Sequence, residues 1–169
     1  MKTIYLLRHA KSNWANPYQT DKDRVLADRG VNDAVLLGSY VKKNNLNPNI
    51  IYCSTAQRCK QTLALVNLES NIEKKYIIYD DDLYGCHVSF LLNILFYQHE
   101  EINSILLVNH EPTLSDLVNF LVPRKKILET DYKKYNTCGF SILKYKVNDW
   151  SDINQENLAC FEFVIPKNL

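Results

Sequence analysis

Six short apolar runs, most of them separated by amphipathic stretches, constrain this chain more than any other feature. "TIYLLR" at 3–8, "NIIYCS" at 49–54, "KYIIYD" at 75–80 and "SILLVN" at 104–109 have the length and composition of buried strands. Between them the apolar residues recur at helical spacing. In 27–45 they are Val31, Ala34, Val35, Leu37 and Val41, with Gly38 on the same face, where it allows close packing against a sheet. In 55–68 they are Ala56, Cys59, Leu63 and Val66. Helices are also predicted over 87–100 and 112–122, the latter with Pro112 at the favoured first position. The last two runs, 139–147 and 158–165, have no helix between them and predict an antiparallel pair joined through "NDWSDINQEN". Strand–helix alternation demands a sheet covered on both faces. The expected fold is therefore α/β: a three-layer α/β/α sandwich, mostly parallel, with an antiparallel C-terminal edge strand. It forms one domain over 1–169, long enough to bury a real core.

Right-handed crossovers bring the loops after parallel strands to one sheet edge, where the sites of such folds lie. After the first strand come Arg8 and His9, and after the second comes "CSTAQR" with Arg58 in a first helical turn. After the third comes "DDDLYG" with Asp80, Asp81 and Asp82, and after the fourth "NHEP" with His110 and Glu111. Two arginines, two histidines and an acidic cluster should meet there. That set suits a phosphoryl group. Guanidinium groups match phosphate oxygens with fixed donors, helix N-termini add N–H groups and positive dipole, imidazole is a competent nucleophile, and a carboxylic acid can protonate a leaving group.

The remaining features narrow the class. A net charge of +1 leaves no global field for nucleic acid or membrane, so attraction for an anion must be local. Neither a nucleic-acid motif nor an apolar segment of membrane-spanning length appears. The five cysteines are scattered, without a CxxC pair, which speaks against a disulfide framework or a cysteine-rich zinc site. Reduced thiols and the lack of a signal-peptide pattern predict a cytoplasmic protein. A monomer is expected, because no exposed apolar helix face stands out. Arg24 and Arg29 are expected to shape the first loop and first helix, His87 and His99 to be surface or helix-terminal residues, and "PRKK" at 123–126 to be a solvated basic run.

"LLRHAKS" resembles the signature of the histidine phosphatase superfamily, also called phosphoglycerate mutase-like. "DKDRVLADRG", "CSTAQRCKQT", "DLYG" and "VNHEPTLSDL" extend the resemblance to about residue 120. The ending "TCGFSILKY" with "FVIP" is similar to the short SixA-like phosphohistidine phosphatases, as is "RHAKS" in place of the mutase form "RHGES". The resemblance implies that His9 is the nucleophile that becomes phosphorylated. It implies that Arg8 and Arg58 clamp the phosphoryl oxygens, and that His110 holds the transferring group. Asp81 matches the family's acid, with Asp80 and Asp82 as neighbours of the same type, and Ser12 and the backbone around Glu111 match outer phosphate contacts. No metal or other cofactor is implied. The short chain lacks room for the insertions that cap mutase sites, and an open site fits a phosphorylated protein.

The implied activity is a metal-independent phosphatase acting on protein phosphohistidine. Alternatives are a small-molecule phosphomonoesterase of the same superfamily and a non-catalytic phosphoprotein-binding module. A metal hydrolase is disfavoured, because two arginines in one pocket repel a cation.

Overall fold

The computed structural model describes residues 1–70 and 77–169. Six strands form one sheet: β1 (Lys2–Arg8), β2 (Ile50–Ser54), β3 (Ile77–Asp80), β4 (Ser104–Asn109), β5 (Phe140–Tyr145) and β6 (Leu158–Val164). Their order across the sheet is β3-β2-β4-β1-β5-β6. β1, β2, β3 and β4 run parallel, and β5 and β6 add antiparallel pairings at one side. The helices are α1 (Asp28–Lys43), α2 (Gln57–Ser70), α3 (Val88–Phe96), α4 (Thr113–Leu121) and α5 (Arg124–Leu128). The α/β class with a C-terminal antiparallel edge strand is the architecture that the strand–helix alternation demanded.

Strand alternation divides the core into two layers. Ile4 and Leu6 of β1 face one side with Ile105 and Leu107 of β4, against Leu91 and Leu95 of α3 and Leu114, Leu117 and Leu121 of α4. Tyr5 and Leu7 face the other side with Leu106 and Val108, against Ala34, Leu37 and Val41 of α1 and Cys59, Leu63 and Val66 of α2. Each fully buried leucine, isoleucine or valine among them contributes roughly 1.5–3 kcal/mol. Arg8 stands opposite Asn109, Cys53 opposite Val108 and Ser54 opposite Asp80. That register ends the four parallel strands at one level and delivers the residues that follow to one edge.

Several elements differ from expectation in extent. α1 buries Gly30, Ala34, Leu37, Gly38 and Val41, whereas Val31 is exposed. A Cβ on Gly30 would lie 2.2 Å from the Lys11 carbonyl oxygen. Glycine there lets α1 press on the backbone two residues past His9. α3 stops at Phe96, short of residue 100, and beyond it the carbonyls of Glu100 and Ile102 accept from the buried Lys2 ammonium at 2.5 and 2.8 Å. His87 is helix-terminal, as expected, and caps that helix, its Nδ1 accepting from the Ser89 N–H. Pro112 is the N-cap of α4, one place before the first helical residue. The basic run 123–126 opens α5, which begins at Arg124. The link between β5 and β6 contains two 3-10 turns and buries Trp150, whose Nε1 donates to the Ile102 carbonyl at 2.7 Å. Residues 75 and 76 of the third predicted strand lie outside the described residues.

Candidate active site

The nucleophile candidate is oriented by its own backbone. His9 Nδ1 is 2.8 Å from the Ala10 carbonyl oxygen, an acceptor, so the ring proton resides on Nδ1. The lone pair is therefore on Nε2, where it accepts a hydrogen bond from Arg58 Nε–H at 3.3 Å. Arg58 reaches this position from the second residue of α2, after Ser54, Thr55 and Ala56 turn the chain away from the strand. One Arg58 NH2 hydrogen points to His110 Nδ1 at 3.3 Å. His110 Nδ1 therefore accepts, and its Nε2–H donates to Ser54 Oγ at 2.8 Å. The two imidazole centroids are 5.1 Å apart, with Arg58 joining them.

Both histidines are buried among cations. Burial pushes His9 from an ordinary 6.5 down to about 4, and the Arg58 and Arg8 charges add to that after the Ala10 hydrogen bond partly offsets it. Burial, then His9 and Arg58, lowers His110 to about 3. Both rings are neutral at pH 7, as a nucleophile must be. The same depression makes folding pH-dependent. The unfolded chain binds more protons than the folded one between the folded values and 6.5, so stability is full above 6.5 and falls as pH drops toward 4 and 3. Each tenfold loss of proton affinity is about 1.4 kcal/mol. The urea midpoint is expected to fall between pH 7 and pH 4.5, and His9→Gln is expected to blunt that fall. An unchanged pH slope in the variant would contradict the buried neutral state.

The cleft beside His9 has a volume of about 170 Å³, and Arg8, Lys11, Ser12, Trp14, Arg24 and Arg58 line it. Arg8 donates from NH1 to the Tyr135 carbonyl at 2.6 Å, while its buried Nε has no partner. Ser12 is buried and reaches the cleft wall beside a bridge to Leu26. Thus Arg8, His9, Arg58 and His110 meet at the strand edge, and Ser12 borders them. Glu111 lies half-buried next to the Arg8 charge. Burial raises its carboxyl, and its Oε1 is buried without a hydrogen-bond partner.

Asp81 is placed differently from its neighbours in the cluster. It is fully exposed, takes Lys22 Nζ at 2.7 Å and the Thr55 hydroxyl, and is held below the ordinary carboxylate range by those two bonds. It does not line the cleft, and it is ionised where an acid would need a proton. Asp80 accepts from the Asp82 N–H at 2.9 Å and caps a 3-10 turn.

Two residues of the site carry no role in the sequence reading. Asp21 receives Arg58 twice, through its backbone oxygen at 2.5 Å and its carboxylate at 2.9 Å. The same carboxylate pairs with Arg24 and accepts the Tyr84 hydroxyl at 2.6 Å. Tyr84 in turn packs edge-on against His110, with centroids 5.6 Å apart. The signal was the Asp21–Arg24 spacing inside "DKDRVLADRG", an acid and an arginine three residues apart. Among the described residues no group of three or more His, Cys, Asp or Glu side chains is placed to hold a metal ion. No described helix is long and apolar enough to cross a membrane.

Comparison with known proteins places this geometry. The family model for the histidine phosphatase superfamily (branch 1) matches residues 4–89. An uncharacterized protein of Mycobacterium tuberculosis is 29% identical over 165 residues, covering 95% of this chain and all of its own length. Among solved structures, a candidate phosphohistidine phosphatase SixA from Agrobacterium tumefaciens superposes with a TM-score of 0.78 at 28% identity, over 95% of this chain and 97% of its own. A second candidate SixA, from Nakamurella multipartitia, gives 0.75 at 27% identity, over 95% of each chain.

Proposed function

The chain belongs to the histidine phosphatase superfamily, and from that premise we propose that it is a metal-independent phosphatase acting on protein phosphohistidine through a phosphorylated His9. One observation carries the proposal. His9 is a neutral imidazole with its proton fixed on Nδ1 and its Nε2 lone pair directed at Arg58 beside an arginine-lined cleft. Arg8 and Arg58 would take the phosphoryl oxygens, with Ser12 and the backbone around Glu111 as outer contacts. His9 Nε2, released by Arg58 Nε–H as that arginine turns to the phosphoryl oxygens, attacks phosphorus as the phosphorus–nitrogen bond of the substrate breaks. The departing imidazole, protonated on its far nitrogen beforehand, leaves neutral. Water then attacks the phosphorus on His9, phosphate departs and the imidazole is restored. The entering dianion offsets the Arg58 and Arg8 charges that depress His110, which makes a second proton there, a donor toward the transferring group, less costly.

The substrate class follows from the acid. Asp81 must give up Lys22 and Thr55 and acquire a proton before it can serve a leaving group. An alkoxide depends on such a donor, typically by 10²–10⁴-fold, whereas a protonated imidazole does not. The test is a panel run in chelator: a phosphohistidine protein, an aryl phosphate and an alkyl phosphate, with wild type and Asp81→Asn. Turnover is expected in the order phosphohistidine, aryl, alkyl, with Asp81→Asn reducing only the alkyl ester. Alkyl phosphate as the best substrate would favour a small-molecule phosphomonoesterase. Tight binding without turnover would favour a phosphoprotein-binding module. Loss of all activity in chelator would overturn the metal-independent reading.

A further inference from the structure

The cleft has more cationic recognition than one phosphoryl group uses, and the surplus lies on one wall. Arg8 and Arg58 already bring two positive charges to the two negative charges of a phosphoryl group. Beyond them stand Lys11, Trp14 and Arg24. The Arg24 guanidinium carbon lies 3.4 Å from the centroid of the Trp14 ring, a stacking contact that fixes the plane of the cation. The Arg24 side chain is 12% exposed, and its outer end pairs with Asp21. Its Nε is buried and has no hydrogen-bond partner. A buried donor left open is costly unless something fills it. Trp14 is 67% exposed, although it carries a stacked partner, so a large aromatic face borders the cleft mouth. Lys11 is exposed, and among the described residues it forms no ion pair.

We propose that Lys11 and Arg24, set against Trp14, bind a carboxylate that the substrate carries beside its phosphoryl group. The inference deepens the phosphatase reading and rests on it. A planar carboxylate matches the fork of the guanidinium. Lys11 adds a mobile point charge, and the indole covers the apolar link between the two anionic groups. Two sources supply that chemistry: an acidic residue next to the phosphorylated side chain of a protein, and a small phosphorylated carboxylic acid.

Non-hydrolysable ligands separate these sources without requiring turnover. One pair is a peptide carrying a phosphoryl-triazole mimic of phosphohistidine, with Glu or Gln beside it. The other pair is 3-phosphonopropionate and propylphosphonate. Calorimetry on wild type is expected to show a preference of about tenfold for the carboxylate in one pair at least, and the preferred pair identifies the source. The Lys11→Gln, Arg24→Gln double variant is expected to bring that preference to about twofold or less. Should the double variant not fold, Lys11→Gln alone, at an exposed side chain, is expected to cut the preference by about threefold. Ratios near one for both pairs on wild type, or a preference that survives in the variants, would overturn the proposal. Turnover of a phosphohistidine protein is read separately. Its absence beside an intact carboxylate preference would sink the catalytic reading and leave the subsite standing.

Discussion

His9→Ala is expected to lose at least about a thousandfold in kcat while keeping its fold. The expectation follows from the position of the ring. Nδ1 is tied to the Ala10 carbonyl, and Nε2 is the nitrogen directed at the cleft wall through Arg58. Removing the ring takes away the nucleophile and leaves the clamp. The variant should therefore still bind inorganic phosphate or vanadate. It should also melt within a few degrees of wild type at pH 7, since no backbone hydrogen bond of His9 depends on its side chain: its N–H donates to the Asn109 carbonyl and its carbonyl accepts from the Cys138 N–H. Retained binding with lost turnover separates a nucleophile from a structural histidine. Comparable turnover in wild type and variant would place the chemistry elsewhere.

Arg58→Ala is expected to cost about 10²–10³-fold in kcat/KM, with Arg58→Lys recovering only part of it. Arg58 is the hub of the site. It touches His9 Nε2, His110 Nδ1 and both oxygens that Asp21 offers. A lysine supplies charge but not the fork, so it cannot reach both imidazoles and Asp21 at once. The loss has a second signature. The Arg58 charge helps to depress His9 and His110, after burial in both cases. Arg58→Ala should raise both, moving the acid limb of the pH–rate profile upward, toward 6.5. A rate loss with an unmoved acid limb would mean that Arg58 acts on substrate alone. The acid limb of wild type should lie well below 6.5, because the nucleophile loses its lone pair only as pH falls toward 4.

Much of this site was legible in the chain because strand ends in a parallel sheet are a topological address. Arg8–His9, Arg58 and His110 each follow an apolar run, and the register of Arg8 with Asn109 brings them level. Periodicity also exposed the packing of α2, whose Cys59, Leu63 and Val66 are all buried, as is Ala56 just before it. What stayed hidden depends on side-chain partners that spacing cannot choose among. "DDD" offers three equivalent carboxylates, and only the neighbouring Lys22 and Thr55 draw Asp81 to the rim. Asp21 belongs to a loop with no period, and its link to Arg58 spans 37 residues of sequence. The anchoring of the segment after α3 was hidden for a similar reason. A lysine at position 2, which alternation alone would leave unremarkable, claims carbonyls about 100 residues away.

Catalysis by this chain requires a phosphorylated histidine, and a rapid-quench trap tests that most directly. Wild type is mixed in chelator with a phosphohistidine protein carrying labelled phosphate, quenched in base within milliseconds, digested and mapped. Acid-labile label is expected on the peptide that contains His9, appearing before free phosphate and chased by water. The same label should be absent from His9→Ala. Free phosphate released at full rate with no label on His9 at any time would contradict the covalent route and, with it, the role assigned to the residue that ends the first strand.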